Sequence, residues 1–424
     1  MAGKWQDVKL GDVITLKRGY DLPKRKRNPG SVPVVSSAGF SGHHDEAKAN
    51  PPGVVVGRYG TLGEVYYVEE PFWPLNTALY VQDFKGNDPR FVSYLLETIH
   101  YRAAVDKAAV PGVNRNDLHQ FRVKLPPLGE QKAIADQLGT LDDKIDLNRR
   151  MNETLESMAR AIFKSWFVDF DPVIDNALRA GNPIPEEFAD RAAARREALD
   201  AGNPVVGDEV GSLFPGGFEK SDLGPVPVGW KPGVIGDQFD LTLGLSPPGS
   251  TYNEDGEGVP FYQGRKDFGF RYPGYRVYCT EPKRFAEKGD SLVSIRAPVG
   301  DVNMARERCC IGRGVAALRH QAGSRSYTYY AMKTLAGRFA RFNAEGTVFG
   351  SIGKRDFLAL DWVCAKNGIV DLFEKQLSPL DEQITVNERN TRSLGATRDT
   401  LLPKLMAEEV LFEERGEVSC PSVR

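Results

Sequence analysis

Alternate steps of four and three residues along the chain from Ile134 meet Leu138, Leu141, Ile145, Asn148, Asn152, Leu155, Ala159, Ile162 and Trp166. The same steps from Phe373 meet Leu377, Leu380, Ile384, Asn387, Thr391, Leu394, Arg398, Leu401 and Leu405. Apolar residues at this spacing share one helix face, so the pattern predicts two long helices, each packing along a seam. Asn148 and Asn387 fall at the same seam position. A polar residue there costs stability and fixes register, because a slipped pairing leaves its amide unbonded; the alternative is that this position reaches solvent. Pro379 and Pro403 lie inside the second pattern and each removes a backbone hydrogen bond. That helix is therefore expected to kink or begin near Pro379 and to end or bend near Pro403.

Elsewhere the patterns are shorter. Apolar runs at Val54–Val56, Val65–Val68 and Ala78–Val81 read as strands. Amphipathic stretches around Phe91–Ala104 and Tyr327–Phe342 read as helices.

Much of this pattern occurs twice. WQDVKLGDVITLKRG from Trp5 is echoed by WKPGVIGDQFDLTLG from Trp230, so that Trp5 and Trp230, Gly11 and Gly236, Asp12 and Asp237, and Gly19 and Gly244 coincide at one offset. VVGRYGTLGEV at 55–65 matches LVSIRAPVGDV at 292–302, keeping Gly63 with Gly300 and Val65 with Val302 and placing Arg58 one position short of Arg296. QLGTLDDKI from Gln137 matches QLSPLDEQI from Gln376. The chain is an internal duplication.

Asn50-Pro51-Pro52 resembles the opening of the Asn/Asp-Pro-Pro-aromatic signature of amino-methyltransferases, but Gly53 stands where the aromatic belongs. The second copy has no counterpart. Pro51-Pro52-Gly53 is read as a turn leading into a buried strand.

The expected fold class is α/β (α+β), with two pseudo-repeated globular domains separated by two long antiparallel coiled-coil helices. The expected boundaries are a first domain at 1–125, a helix at 126–168, an acidic linker with a short helix at 169–225, a second domain at 226–365, a second helix at 366–412 and a tail at 413–424. Net charge is -2 for the whole chain. It is segregated, at about +4 for residues 1–125, about +5 for 226–364 and about -11 for the remainder. Two mildly basic domains are joined by acidic material.

Five cysteines without a C-x2-C pair, and five histidines whose one adjacent pair, His43-His44, reads as a polar loop, suggest neither a disulfide scaffold nor a metal site. The GSIGKR stretch at 350–355 lacks the spacing and hydroxyl of a P-loop, and no Gly-rich dinucleotide turn is present. Asp169 and Asp171 lack the partner lysine of a nuclease and read as linker carboxylates. No apolar run reaches the roughly 20 residues of a membrane span.

LPPLGEQKAIADQLGTLDDKIDLNRRMNETLESMARAIFKSWFVDFDPV resembles the central conserved region of the DNA-specificity (S) subunits of Type I restriction-modification systems. TRDTLLPKLMAEEV resembles their C-terminal conserved region, and VPVGW the start of their second half. The resemblance implies a prokaryotic, cytoplasmic subunit without catalysis, metal or cofactor of its own. Two target-recognition domains each read half of a split, asymmetric site on double-stranded DNA, and the helices set the gap. Two modification subunits would bring S-adenosylmethionine, and where present two restriction (translocase) subunits would bring ATP and Mg. A helix from about Glu130 to Trp166 would be ~55 Å long, more than the ~34 Å of one DNA turn.

Residue types then pick the candidate DNA contacts, since amides, hydroxyls and forked donors read bases while Lys and Arg hold phosphates. In the first domain these are Lys17, Arg18, Lys24, Arg25, Lys26 and Arg27 around Tyr20, Ser36 and Ser37 in a polar loop, and Asn114 and Arg115 in another. The second domain offers Gln263, Arg265, Lys266, Arg271, Lys354 and Arg355. Arg58 and Arg296 either hold phosphates in both copies or tie down the turns after their strands. For each dense basic run the alternative is a solvated loop.

Overall fold

A two-stranded antiparallel pair opens and closes each half of the chain. Gln6–Lys9 pairs with Arg122–Leu125, and Lys231–Val234 pairs with Asp361–Cys364. The computed structural model describes residues 4–101, 112–344 and 350–407. It divides into two units, one of Met1–Arg150 with Asn387–Arg424 and one of Met151–Val386.

In the first unit a four-stranded antiparallel sheet runs Thr15–Arg18, Ala78–Asp83, Gly53–Gly57, Val65–Val68. A smaller sheet runs Gly39–His44, Val32–Ser36, Trp73–Pro74, its last pairing parallel. The second unit repeats this order with Phe239–Leu243, Val315–His320, Ser291–Ser294, Val302–Met304. It too has a second sheet with one parallel pairing, between Val259–Tyr262 and Cys309–Ile311. Mixed helix and strand content in two duplicated units is the expected class.

The residues shared by the copies hold the fold. Asp12 and Asp237 each accept a backbone hydrogen bond three residues back, from Lys9 N at 3.3 Å and Val234 N at 3.1 Å. Gly19 and Gly244 lie against other backbone: a Cβ there would sit 2.2 Å from the Leu75 carbonyl oxygen and 2.1 Å from that of Gly312. Gly63 and Gly300 close equivalent turns at φ 78° and 102°, pressed on Tyr101 and Phe339. Glycine is therefore needed twice over at these turns.

The expected strands at 54–56, 65–68 and 78–81 are all present. The first helix is shorter than the pattern predicts, Pro89–Glu97, and part of the predicted span lies outside the described residues. The second is divided, into Arg325–Thr334 and Ala336–Ala344.

Both long helices form, Leu128–Phe167 and Asn367–Met406, and they pack together. Within the first unit, Ile134 and Leu138 share a core with Leu405 and Met406. Within the second, Phe163 and Trp166 share one with Phe373 and Leu377. Early residues of one helix thus meet late residues of the other, the antiparallel sense. Along the seams Ile134, Leu138, Ile145, Phe373, Leu377, Ile384 and Asn387 are buried, and Leu141, Leu155, Ile162, Leu380, Leu394 and Leu401 are half-buried. Asn148 is only half-buried, beside Lys144, Leu147 and Asn390. The two asparagines at one sequence position therefore differ in burial.

Two expectations are corrected. Pro379 neither starts nor ends its helix, which begins at Asn367 and ends at Met406, close to Pro403 as expected. Both prolines are exposed, as is Lys375, whose carbonyl loses its donor; water can satisfy that carbonyl, and the flanking seam residues hold the helix. The acidic linker is also folded. Besides the expected short helix, here Ala189–Asp200, it contains the helix Asp171–Ala180 and a hairpin, Phe218–Ser221 with Gly224–Pro227. Asp171 and Asp175, one turn apart and 3% exposed, each receive a two-bonded arginine, Arg191 at 2.6 Å and Arg195 at 2.8 Å. Paired carboxylates and arginines can be buried where unpaired ones cannot.

A buried charge cluster fastens the second domain to its helix segments. Arg271, 1% exposed, donates to Glu156 at 2.6 Å, Asp381 at 2.9 Å and the Tyr330 hydroxyl at 2.6 Å, with its guanidinium 4.2 Å from the Tyr329 ring centre. Burial works against its charge, but Tyr329, Tyr330, Asp381 and Glu156 together push its pKa above the usual arginine range. In the first unit Asp142, which matches Asp381 in the duplication, accepts from Tyr94 and from Arg398 at 3.0 Å.

Replacing Arg271 with alanine strands two carboxylates. Arg271→Ala is expected to destabilise the second unit by about 3–5 kcal/mol, whereas exposed Lys266→Ala should stay within about 0.5 kcal/mol; equal denaturation midpoints for the two variants would refute the assignment. His320 supplies a pH test. It is 2% exposed, its Nδ1 accepts from Ala322 N at 3.2 Å, and burial lowers its pKa from 6.5. The unfolded chain then binds the proton more readily, so stability present above about pH 6.5 is lost as pH falls below it. Urea midpoints of the second unit should drop between pH 7.5 and 5.5, and less so in His320→Gln.

Candidate nucleic-acid interface

The basic run of the first domain separates into free and committed side chains. Lys24, Arg25 and Lys26 form one exposed 3-10 turn. Arg27 instead donates to the Ser41 carbonyl and, at 3.3 Å, to its hydroxyl, anchoring that turn to the strand Gly39–His44. Lys17 is half-buried with its ammonium 5.4 Å from the Tyr20 ring centre, and Arg18 is exposed with its Nε 3.3 Å from the Asn76 carbonyl oxygen.

Several polar candidates serve the local backbone. The Ser36 hydroxyl donates to Gly39 O at 3.0 Å and accepts from Ala38 N at 3.2 Å, closing a hairpin turn. Ser37 N donates to the Thr77 hydroxyl at 3.3 Å. Asn114 caps a short helix, Arg115–His119, by accepting from Asn116 N at 3.0 Å, a use to which asparagine is suited. Arg115 follows it, exposed. Arg58 donates to Val113 O at 3.2 Å and lies 4.5 Å from the Tyr59 ring centre, which favours the tie-down role over a phosphate contact.

In the second domain Arg265 and Lys266 are exposed, and Arg265 pairs with Asp301 at 2.8 Å. Gln263 is half-buried, its backbone N–H donating to the Asp267 carboxylate at 2.6 Å. Arg296 is exposed at a bridge to Ser351, the counterpart of the Tyr59–Gly112 bridge. Lys354 and Arg355 lie exposed in the first turn of the helix Lys354–Leu358. The side chains available to a partner are therefore Lys24, Arg25, Lys26 and Arg115 in one domain and Lys266, Arg296, Lys354 and Arg355 in the other. Arg271 is withdrawn from this set: enclosed among Glu156, Asp381 and Tyr330, it is shut off from any phosphate.

The sequence reading missed Phe40, which is 62% exposed on the strand beside the basic turn. An aromatic in a polar loop, SSAGFSGHH, was the available signal. It also missed Glu156, one residue past seam Leu155, and the repeated Asp142 and Asp381, each after a repeated seam leucine.

Gly53 is buried, and a Cβ there would lie 2.1 Å from the Phe72 ring. The position has no room for the aromatic of a methyltransferase signature. Asn50, Pro51 and Pro52 are exposed bends before a fully buried strand. Among the described residues no helix is long and apolar enough to cross a membrane.

Comparison with known proteins agrees with this architecture. Residues 2–157 match the family described as Type I restriction modification DNA specificity domain. The putative type I restriction enzyme MjaX specificity subunit of Methanocaldococcus jannaschii is 26% identical over 332 residues, covering 76% of this chain and 68% of that protein. The HindI specificity subunit of Haemophilus influenzae is 25% identical over 363 residues, covering 76% and 77%. The crystal structure of the S subunit from M. genitalium has the same fold, with a TM-score of 0.57 at 18% identity over 95% of this chain and 96% of that one. In its duplicated domains, its paired long helices and its sequence the chain is similar to the DNA-specificity subunits of Type I restriction-modification systems, and residues 2–157 match their specificity-domain family.

Proposed function

We propose that this chain reads a bipartite, asymmetric site on double-stranded DNA and positions two adenine-N6 modification subunits on it, with restriction subunits joining where the system has them. One observation carries the reading: the same fold occurs twice while most of its exposed basic side chains differ, Lys24, Arg25 and Lys26 in one copy against Lys266, Arg296 and Arg355 in the other, with Arg115 and Lys354 alone corresponding, each at the start of its short helix. Equal scaffolds with unequal surfaces suit two different half-sites. The gap between them is set by the two long helices, each 40 residues and so about 60 Å in length.

Chemistry belongs to the partners in this reading. The crowding of Gly53 by Phe72 argues against the methyltransferase signature in this chain, and S-adenosylmethionine, ATP and Mg are assigned to the modification and restriction subunits. The site of action is the prokaryotic cytoplasm, where the DNA is.

Co-expression with its modification subunit in a methylation-free host, followed by N6-methyladenine mapping, tests the proposal. One split, asymmetric motif, absent when this chain is omitted, is expected. A stable complex that writes no motif would reduce the chain to a scaffold, and methylation by this chain alone would overturn the assignment of chemistry. In binding assays Lys354→Ala should weaken all sequences alike and lower the salt slope by about one.

A further inference from the structure

We propose that Phe40 reads a thymine: the hairpin Val32–His44 enters the major groove and the Phe40 ring packs on a thymine C5-methyl in the half-site of the first domain. The inference rests on the DNA-reading function proposed above and adds to it a named base contact.

Phe40 is the most exposed of the described large hydrophobic residues, at 62%. Single exposed apolar residues are common, so exposure alone decides nothing. Its setting does. The strand Gly39–His44 is the outer strand of its three-stranded sheet, with Val32–Ser36 inside it. Pairing slips within it: Val35 faces Phe40 and Pro33 faces His43, so three steps on the outer strand match two on the inner. One extra residue is accommodated, with Gly42 at φ 112° beside it. Such a bulge re-aims side chains at functional edges. Here it brings residues three apart onto one side, and the His43 ring meets the Phe40 ring edge-on at 4.9 Å.

Charge completes the setting. Arg27 holds the Ser41 backbone, so the exposed turn of Lys24, Arg25 and Lys26 is fastened to the strand that carries Phe40. A basic turn suited to phosphate is thus coupled to an apolar tip suited to a base. The B-DNA major groove admits a two-stranded ribbon, and phenylalanine contacts the thymine methyl there. A protein partner would not call for the three cations; a polyanion does.

The test uses the complete complex with its modification subunit. Methylation mapping names the motif, and duplexes carrying uracil for each thymine in turn remove one methyl group at a time. Uracil at one thymine should weaken binding of the wild-type complex about tenfold, the scale of one wrong base pair. Phe40→Ala should lose the same factor on the natural site, show no further loss with uracil, and write a motif relaxed at that position. Phe40→Leu should retain most of the preference. An unchanged motif and affinity in Phe40→Ala overturns the proposal, as do equal uracil penalties in both complexes, a motif without thymine in either strand of one half-site, or a loss confined to subunit assembly. A wild-type complex that writes no motif overturns the DNA-reading function itself, and this contact with it.

Discussion

The apolar seam of the two long helices is the constraint on which the rest of the molecule depends, because it is also the floor of both domains. Ile134 and Leu138 lie in one core with Leu10, Phe91 and Leu118, and Phe163 and Phe373 lie in one core with Phe239, Tyr327 and Phe357. Neither recognition domain can lose its helix segments without opening its interior. Burial at that scale favours association by about 25 cal/mol per Å² of apolar surface, and the charged contacts add direction to it. Arg271 in the second unit and the Tyr94–Asp142–Arg398 cluster in the first select one way of seating each domain.

Much of this was legible because it obeys strong periodicities. A four-three repeat survives over ten seam positions in each helix, and duplication let each copy check the other. Pro379 misled, since it falls on the wet face, where a missing backbone donor is cheap. The connector was misread for a related reason. Its charges look solvated in one dimension, while Asp171 and Asp175 pair with arginines 20 residues on, along the face of a neighbouring helix.

Site residues were less legible than the scaffold. Arginine and asparagine serve DNA and backbone equally well, so type alone did not separate exposed Arg115 from Asn114, which caps its helix, or exposed Lys266 from Arg271, which is buried. Three-dimensional partners made those distinctions. Phe40 was hidden by the opposite problem, as an apolar residue placed by a one-residue slip in strand pairing that no alternation rule predicts.

The strand pairs that close each domain have an evolutionary corollary. Gln6–Lys9 lies beside Arg122–Leu125, and Lys231–Val234 beside Asp361–Cys364, so the polypeptide enters and leaves each domain through neighbouring strands. A module with adjoining ends can be cut out and replaced without rerouting the chain. Recombination whose crossovers fall in these four short segments would exchange the sheets and loops of a reader together, while the seam residues that floor its core stay in place. New specificities could then arise by shuffling intact folds, with no need to pass through half-formed ones.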